Sequence, residues 1–164
     1  MRNALFLCLF SLIACGGDSG TGPDGVTFPG IPLAVRSQFC IRGNMTPPTT
    51  ANGSIGAADC SDGLVWAELE RYETWRVRVK ATTKVTFSLE SPVPDVDNYL
   101  YLYKVGDLNN VFGTLQLIAE DDDSGPDFNA TLTRLLSQDT EYWIVVAVYD
   151  ESDFGAYTLQ MPVG

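Results

Sequence analysis

The densest chemistry in this sequence is a run of four carboxylates, Glu120, Asp121, Asp122 and Asp123, with Ser124, Gly125 and Asp127 just beyond it. Adjacent carboxylates repel unless a cation sits among them, and calcium takes about six to eight oxygens from carboxylates and turn carbonyls. Asp95 and Asp97, in another loop-like stretch, can be added if the two loops share one end of the fold. The expected calcium set is therefore Asp95, Asp97, Asp121, Asp122 and Asp123. It does not follow the EF-hand pattern: with Asp121 first, the fifth position is Gly125 and the twelfth is Leu132. Against the ion stands a plainer reading, in which Asp, Ser and Gly are turn formers and the acids are a solvated loop. A glycosidase pair would need a cleft around two of the acids, which no sequence feature marks.

Other chemistries are excluded by composition. The chain has no histidine, so His-based triads and His-ligated zinc are absent. Lys80, Lys84 and Lys104, the lysines a Ser–Lys dyad would need, read as solvent-facing residues in or beside strands. The formal net charge is −11, which disfavours nucleic acid, since phosphate binding needs clustered Lys and Arg. Cations, basic proteins and neutral sugars remain as partners. Tyr99, Tyr101 and Tyr103 recur every second residue, so a strand would put all three on one face. Such a row is either a binding platform for protein or glycan or ordinary cross-strand packing.

The N-terminus reads as an address. Residues 4–14 are apolar, too short to span a bilayer core of about 30 Å as a helix, and follow the single positive side chain of Arg2. This is the build of a secretory signal. Its end, Leu12-Ile13-Ala14-Cys15, resembles the bacterial lipobox, which implies cleavage after residue 14 and lipidation of Cys15. Two or more acyl chains hold a protein stably to a membrane. Gly16, where an aspartate would favour inner-membrane retention, points to the outer membrane or cell surface. Residues 15–32 are rich in Gly, Asp, Ser, Thr and Pro and read as a tether of about 20–25 Å. Cys8 leaves with the signal, so Cys40 and Cys60 remain as an isolated pair, expected to form a disulfide in an oxidising compartment. Closing that Gly-, Pro- and Thr-rich loop stabilises by about 3 kcal/mol.

The elements that must position these groups are strands. Trp75, Val77 and Val79 alternate with Arg76, Arg78 and Lys80, which predicts one face in and one face out. Val85, Phe87 and Leu89 alternate in the same way. Residues 99–103, 114–119, 130–136 and 155–161 follow, separated by turn residues. Residues 142–149 are apolar on both faces, the mark of a central strand. Residues 33–39 add an edge strand. Short strands at this spacing argue for an all-β, antiparallel sandwich with a jelly-roll-like layout, over residues 33–164.

Several motifs, in order, resemble the bacterial pre-peptidase C-terminal domain, over residues 59–161. Asp97-Asn98-Tyr99-Leu100-Tyr101-Leu102-Tyr103 resembles that family's strand of aspartate followed by alternating Leu and Tyr. Residues 119–125 resemble its acidic loop, and Asn129-Ala130-Thr131-Leu132 the strand after it. Glu141-Tyr142-Trp143-Ile144-Val145-Val146 and Gly155-Ala156-Tyr157-Thr158-Leu159 are similar to its last two strands. The resemblance implies a non-catalytic β-sandwich, with calcium as in the similar collagen-binding modules of bacterial collagenases. The expected function is a membrane-anchored, extracytoplasmic binding or adhesion module. A structural or envelope-assembly lipoprotein, or an accessory module to secreted peptidases, is the alternative.

Overall fold

A computed structural model describes residues 25–61, 71–93, 96–127, 129–148 and 153–164. Cys15, the signal, the first part of the tether and Asp95 lie outside the described residues. Nine strands and two short helices are present among those described: α1 (Leu33–Gln38), β1 (Ile41–Met45), β2 (Thr49–Ile55), β3 (Arg71–Val77), β4 (Thr83–Glu90), β5 (Asn98–Val105), α2 (Val111–Thr114), β6 (Leu115–Asp121), β7 (Thr131–Leu136), β8 (Glu141–Val148) and β9 (Gly155–Met161). They form a five-stranded sheet in the order β1-β3-β8-β5-β6 and a four-stranded sheet in the order β2-β9-β4-β7. Pairing is antiparallel except between β1 and β3, which run parallel. The chain is thus an all-β sandwich, as its alternation predicts.

Strand β8 is the centre of the larger sheet and shows why it is apolar on both faces from Tyr142 onward. Tyr142, Ile144, Val146 and Val148 point into the core between the sheets, with Phe87, Leu100, Leu102 and Leu159. Trp143, Val145 and Ala147 point the other way, into a second apolar layer with Phe39, Tyr72, Tyr101 and Tyr103. Fully burying a large apolar side chain is worth about 1.5–3 kcal/mol, so a strand covered on both sides gains from every residue.

The structure departs from the sequence reading in four places, most of them through that second layer. Leu33–Gln38 form helix α1, in place of the edge strand expected over residues 33–39. Val35 and Phe39 stand one turn apart, joined by a bond from the Phe39 amide to the Val35 carbonyl at 3.1 Å, and both pack on the sheet. A helix of six residues is too short to display a helical period. The tether reading gives way for its last residues, 25–32, because Phe28 is 0% exposed and Ile31 is buried. The segment enclosed by the cysteines, loop-like in composition, carries β1 and β2. Arg76, expected on a wet face, is 1% exposed. Its Nε and Nη2 donate to Glu141 Oε1 and Oε2 at 2.6 and 2.7 Å, and Nη2 also donates to the Pro29 carbonyl at 2.8 Å. The Phe28 ring lies 5.3 Å from the guanidinium carbon. Alternation sorts residues onto two faces, but it does not say that a face is wet.

Candidate functional site

The acidic run begins on the last residues of β6 and continues into the turn before β7. Asp121 is the organiser of that turn. Its Oδ2 accepts the Thr131 amide at 2.7 Å and the Ser124 amide at 3.2 Å, and its Oδ1 accepts the Ser124 hydroxyl. Asp122 Oδ1 accepts the Asp123 amide at 2.9 Å. Gly125 donates to the Asn129 carbonyl at 2.7 Å, and a Cβ there would come within 2.3 Å of that oxygen, so only glycine fits. Asn129, a residue whose role the sequence did not announce, ties three segments together. Its Oδ1 accepts the Ser91 amide and Asn98 Nδ2, and its Nδ2 donates to the Pro126 carbonyl. Among the described residues, no three carboxylates or thiols converge as a metal site. Asp97 is half-buried, while Asp122 and Asp123 are exposed in the turn.

Beside this turn stand the tyrosines. The β5–β6 register puts Tyr101 opposite Glu120. The Tyr99 and Tyr101 rings are stacked, 11° apart in plane and 6.0 Å between centroids. With Glu120, Asp121 and Asp122 they line an open cavity of about 300 Å³. The three tyrosines do share a face, but they are not an exposed row. Tyr101 is 8% exposed and Tyr103 is buried in the second apolar layer. Burial, together with the nearby Glu120 carboxylate and the neighbouring phenols, pushes the Tyr101 hydroxyl well above its ordinary pKa. It therefore stays a neutral hydrogen-bond donor.

Cys40 and Cys60 are joined as a disulfide, as their isolation in the sequence predicts. Close to it lies a polar cluster the sequence did not reveal. Arg42 on β1 contacts Glu73 Oε1 at 2.5 Å and also pairs with Asp59. The Tyr157 hydroxyl donates to Glu73 Oε2 at 2.6 Å, and Trp75 Nε1 donates to that hydroxyl at 2.8 Å. Glu73 is 2% exposed, and burial raises its pKa despite the Tyr157 bond and the Arg42 charge. The Tyr157 phenol is likewise pushed up, by burial and by Glu73. Gly53 on β2 makes room for this phenol, since a Cβ there would lie 2.2 Å from the ring. A glycine inside a strand is the one sequence signal that a neighbour approaches closely.

Two sheets packed face to face define the class of this protein as an all-β sandwich. The structure is similar to several solved ones. The pre-peptidase C-terminal domain of collagenase from Bacillus anthracis is 16% identical, covering 73% of this chain and 94% of its own, with a TM-score of 0.49. CorA, a surface-associated copper-binding protein of Methylomicrobium album BG8, is 11% identical over 76% of this chain and 99% of its own, with a TM-score of 0.55. PliG, a periplasmic inhibitor of g-type lysozyme from Aeromonas hydrophila, is 11% identical with the same coverages and a TM-score of 0.46. At these identities the likeness is one of fold. By sequence, no family profile and no curated protein matches the chain.

Proposed function

We propose that this chain is a non-catalytic, extracytoplasmic binding module, held at a membrane by lipid on Cys15, whose Tyr99–Asp122 surface contacts basic protein partners. The observation that carries the reading is the stacked Tyr99–Tyr101 pair with Glu120 and Asp122 around one open cavity. Aromatic faces attract ammonium and guanidinium groups, and flanking carboxylates add charge-assisted hydrogen bonds. The net charge of −11 acts in the same direction at longer range, steering basic partners by their field. The disulfide accords with an oxidising compartment, and the lipobox-like end of the signal supports display at the cell envelope.

The test is an array of extracellular proteins graded from acidic to basic, probed with the full chain. Bound partners should be basic, and binding should weaken as salt rises. Tyr99→Ala and the pair Glu120→Gln, Asp122→Asn should each weaken it by about tenfold or more. Partners retained equally by all variants would defeat the assignment. Separately, Cys15→Ser should move the protein from the membrane fraction to the soluble one.

A further inference from the structure

The Glu73 cluster opens on a cavity of about 410 Å³ lined by Arg42, Asn52, Gly53, Ser54, Glu73 and Trp75. That is within the size range of small-ligand sites, about 300–1,000 Å³. It lies where β2, the edge strand of the smaller sheet, faces β1 and β3 of the larger one. Its walls are held in place. The Trp75 indole is fixed by its bond to Tyr157 and passes over Gly43, where a Cβ would meet the ring at 3.0 Å. Arg42 is fixed by Glu73 and Asp59, yet its side chain is 45% exposed.

The chemistry of the walls selects a ligand. Arg42 already serves two carboxylates, so an anionic ligand would have to compete with Glu73 and Asp59 for it. Glu73 is in turn occupied by Arg42 and Tyr157, so no free carboxylate waits for a cation. What the cleft offers is a set of hydrogen-bonding groups beside a half-buried indole. Arg42 retains N–H donors, Ser54 presents an exposed hydroxyl, and Asn52 uses its Oδ1 for Thr158 at 3.0 Å, which leaves its N–H groups. A ring with an apolar face and several hydroxyls satisfies both kinds of wall.

From this juxtaposition we infer that the cleft between β2 and β1–β3 binds a neutral saccharide, with Trp75 as the apolar wall and Arg42, Asn52 and Ser54 as the hydroxyl-binding groups. The site is separate from the tyrosine–carboxylate surface and does not depend on its reading.

Calorimetric titration of the full chain tests it, using neutral oligosaccharides of glucose, galactose, mannose or N-acetylglucosamine, a hexuronate oligosaccharide, and tetralysine. At least one neutral oligosaccharide should bind saturably, while the hexuronate and tetralysine should not displace it. Ser54→Phe, on an exposed strand position, should fill the cleft and abolish binding with an unchanged melting temperature. Trp75→Phe should weaken binding by about tenfold, the scale of losing an indole contact. Tyr99→Ala should leave it unchanged. Absence of binding by every neutral oligosaccharide overturns the assignment, as does undiminished binding by both Ser54→Phe and Trp75→Phe. Displacement by the hexuronate or by tetralysine would overturn the choice of a neutral ligand.

Discussion

Two arginine–glutamate pairs sit in the same five-stranded sheet and differ in almost everything except their chemistry. Arg76 and Glu141 are both sealed, under Phe28 and Pro29, with Trp143 Nε1 donating to the same Glu141 oxygen at 3.0 Å. Every charge there is matched by a fixed protein partner, and although Glu141 and Pro29 lie on the wall of an open cavity, Arg76 does not line it. Arg42 and Glu73 divide the burial unequally: the glutamate is inside, while the arginine reaches a cleft. The first pair holds the N-terminal segment onto the sheet. The second keeps a buried charge compensated while leaving a donor at the surface. Charge pairing alone therefore does not separate structural groups from binding groups; the exposure of the cation does.

Breaking the sealed pair should give the largest effect. Glu141→Ala leaves the Arg76 guanidinium buried beside Phe28 without its carboxylate, and removing one partner of a buried pair costs about 3–5 kcal/mol. Urea denaturation should show that loss as a lower midpoint. Replacing both residues together, Arg76→Met with Glu141→Leu, should recover much of it, because no unpaired charge is left inside. A double variant as unstable as Glu141→Ala would mean that the pair is needed for more than charge balance.

The open pair should respond less, and in a way that depends on pH. Arg42→Ala removes a half-exposed cation whose interactions are partly screened, so about 1–2 kcal/mol is expected at neutral pH. Glu73 then stays buried with Tyr157 as donor and no cation. Its pKa in the folded protein, already above the ordinary carboxylate value, should rise further. A folded-state pKa above the unfolded one means that the folded state binds more protons between the two values. Stability is then lost as pH rises through that window and regained as pH falls. The penalty of Arg42→Ala should accordingly shrink toward acidic pH, measured by denaturation across the range. A penalty independent of pH would show that Glu73 is not the group left exposed to the loss.

How much of this was legible in the sequence follows from distance along the chain. The strands, the central place of β8 and the shared face of the tyrosines are local patterns of period two, and these the structure keeps. The disulfide was legible because the signal-peptide reading leaves only Cys40 and Cys60 to pair. The Arg76–Glu141 and Glu73–Tyr157 contacts join residues 65 and 84 positions apart, and no local pattern carries that information. Helix α1 and the burial of Phe28 were hidden for a related reason. Each depends on a covered outer face that exists only once β3, β5 and β8 lie side by side. Gly53 was visible, but as one glycine in a segment already rich in turn residues its meaning was masked.

Asp121 extends the comparison to a carboxylate with no arginine at all, and gives the smallest expected effect. Its oxygens accept two backbone amides and a serine hydroxyl, so its charge is met by the donors of its own turn. Asp121→Asn keeps one acceptor oxygen in place and should cost about 0.5–1 kcal/mol. The same bonding speaks to the calcium reading. A ligand that binds only the folded state stabilises it by RT ln(1 + [L]/Kd), about 2.7 kcal/mol at a hundredfold excess over Kd, and for a domain of this size that is a rise of several degrees. If Asp121 serves the turn, the melting temperature should be the same in EDTA and in millimolar calcium, for the native chain and for Asp121→Asn alike. A calcium-dependent rise that disappears in Asp121→Asn would reverse the assignment. The turn would then be a cation site that borrows its amide-bonded carboxylate, with Asp95 or Asp97 supplying further oxygens.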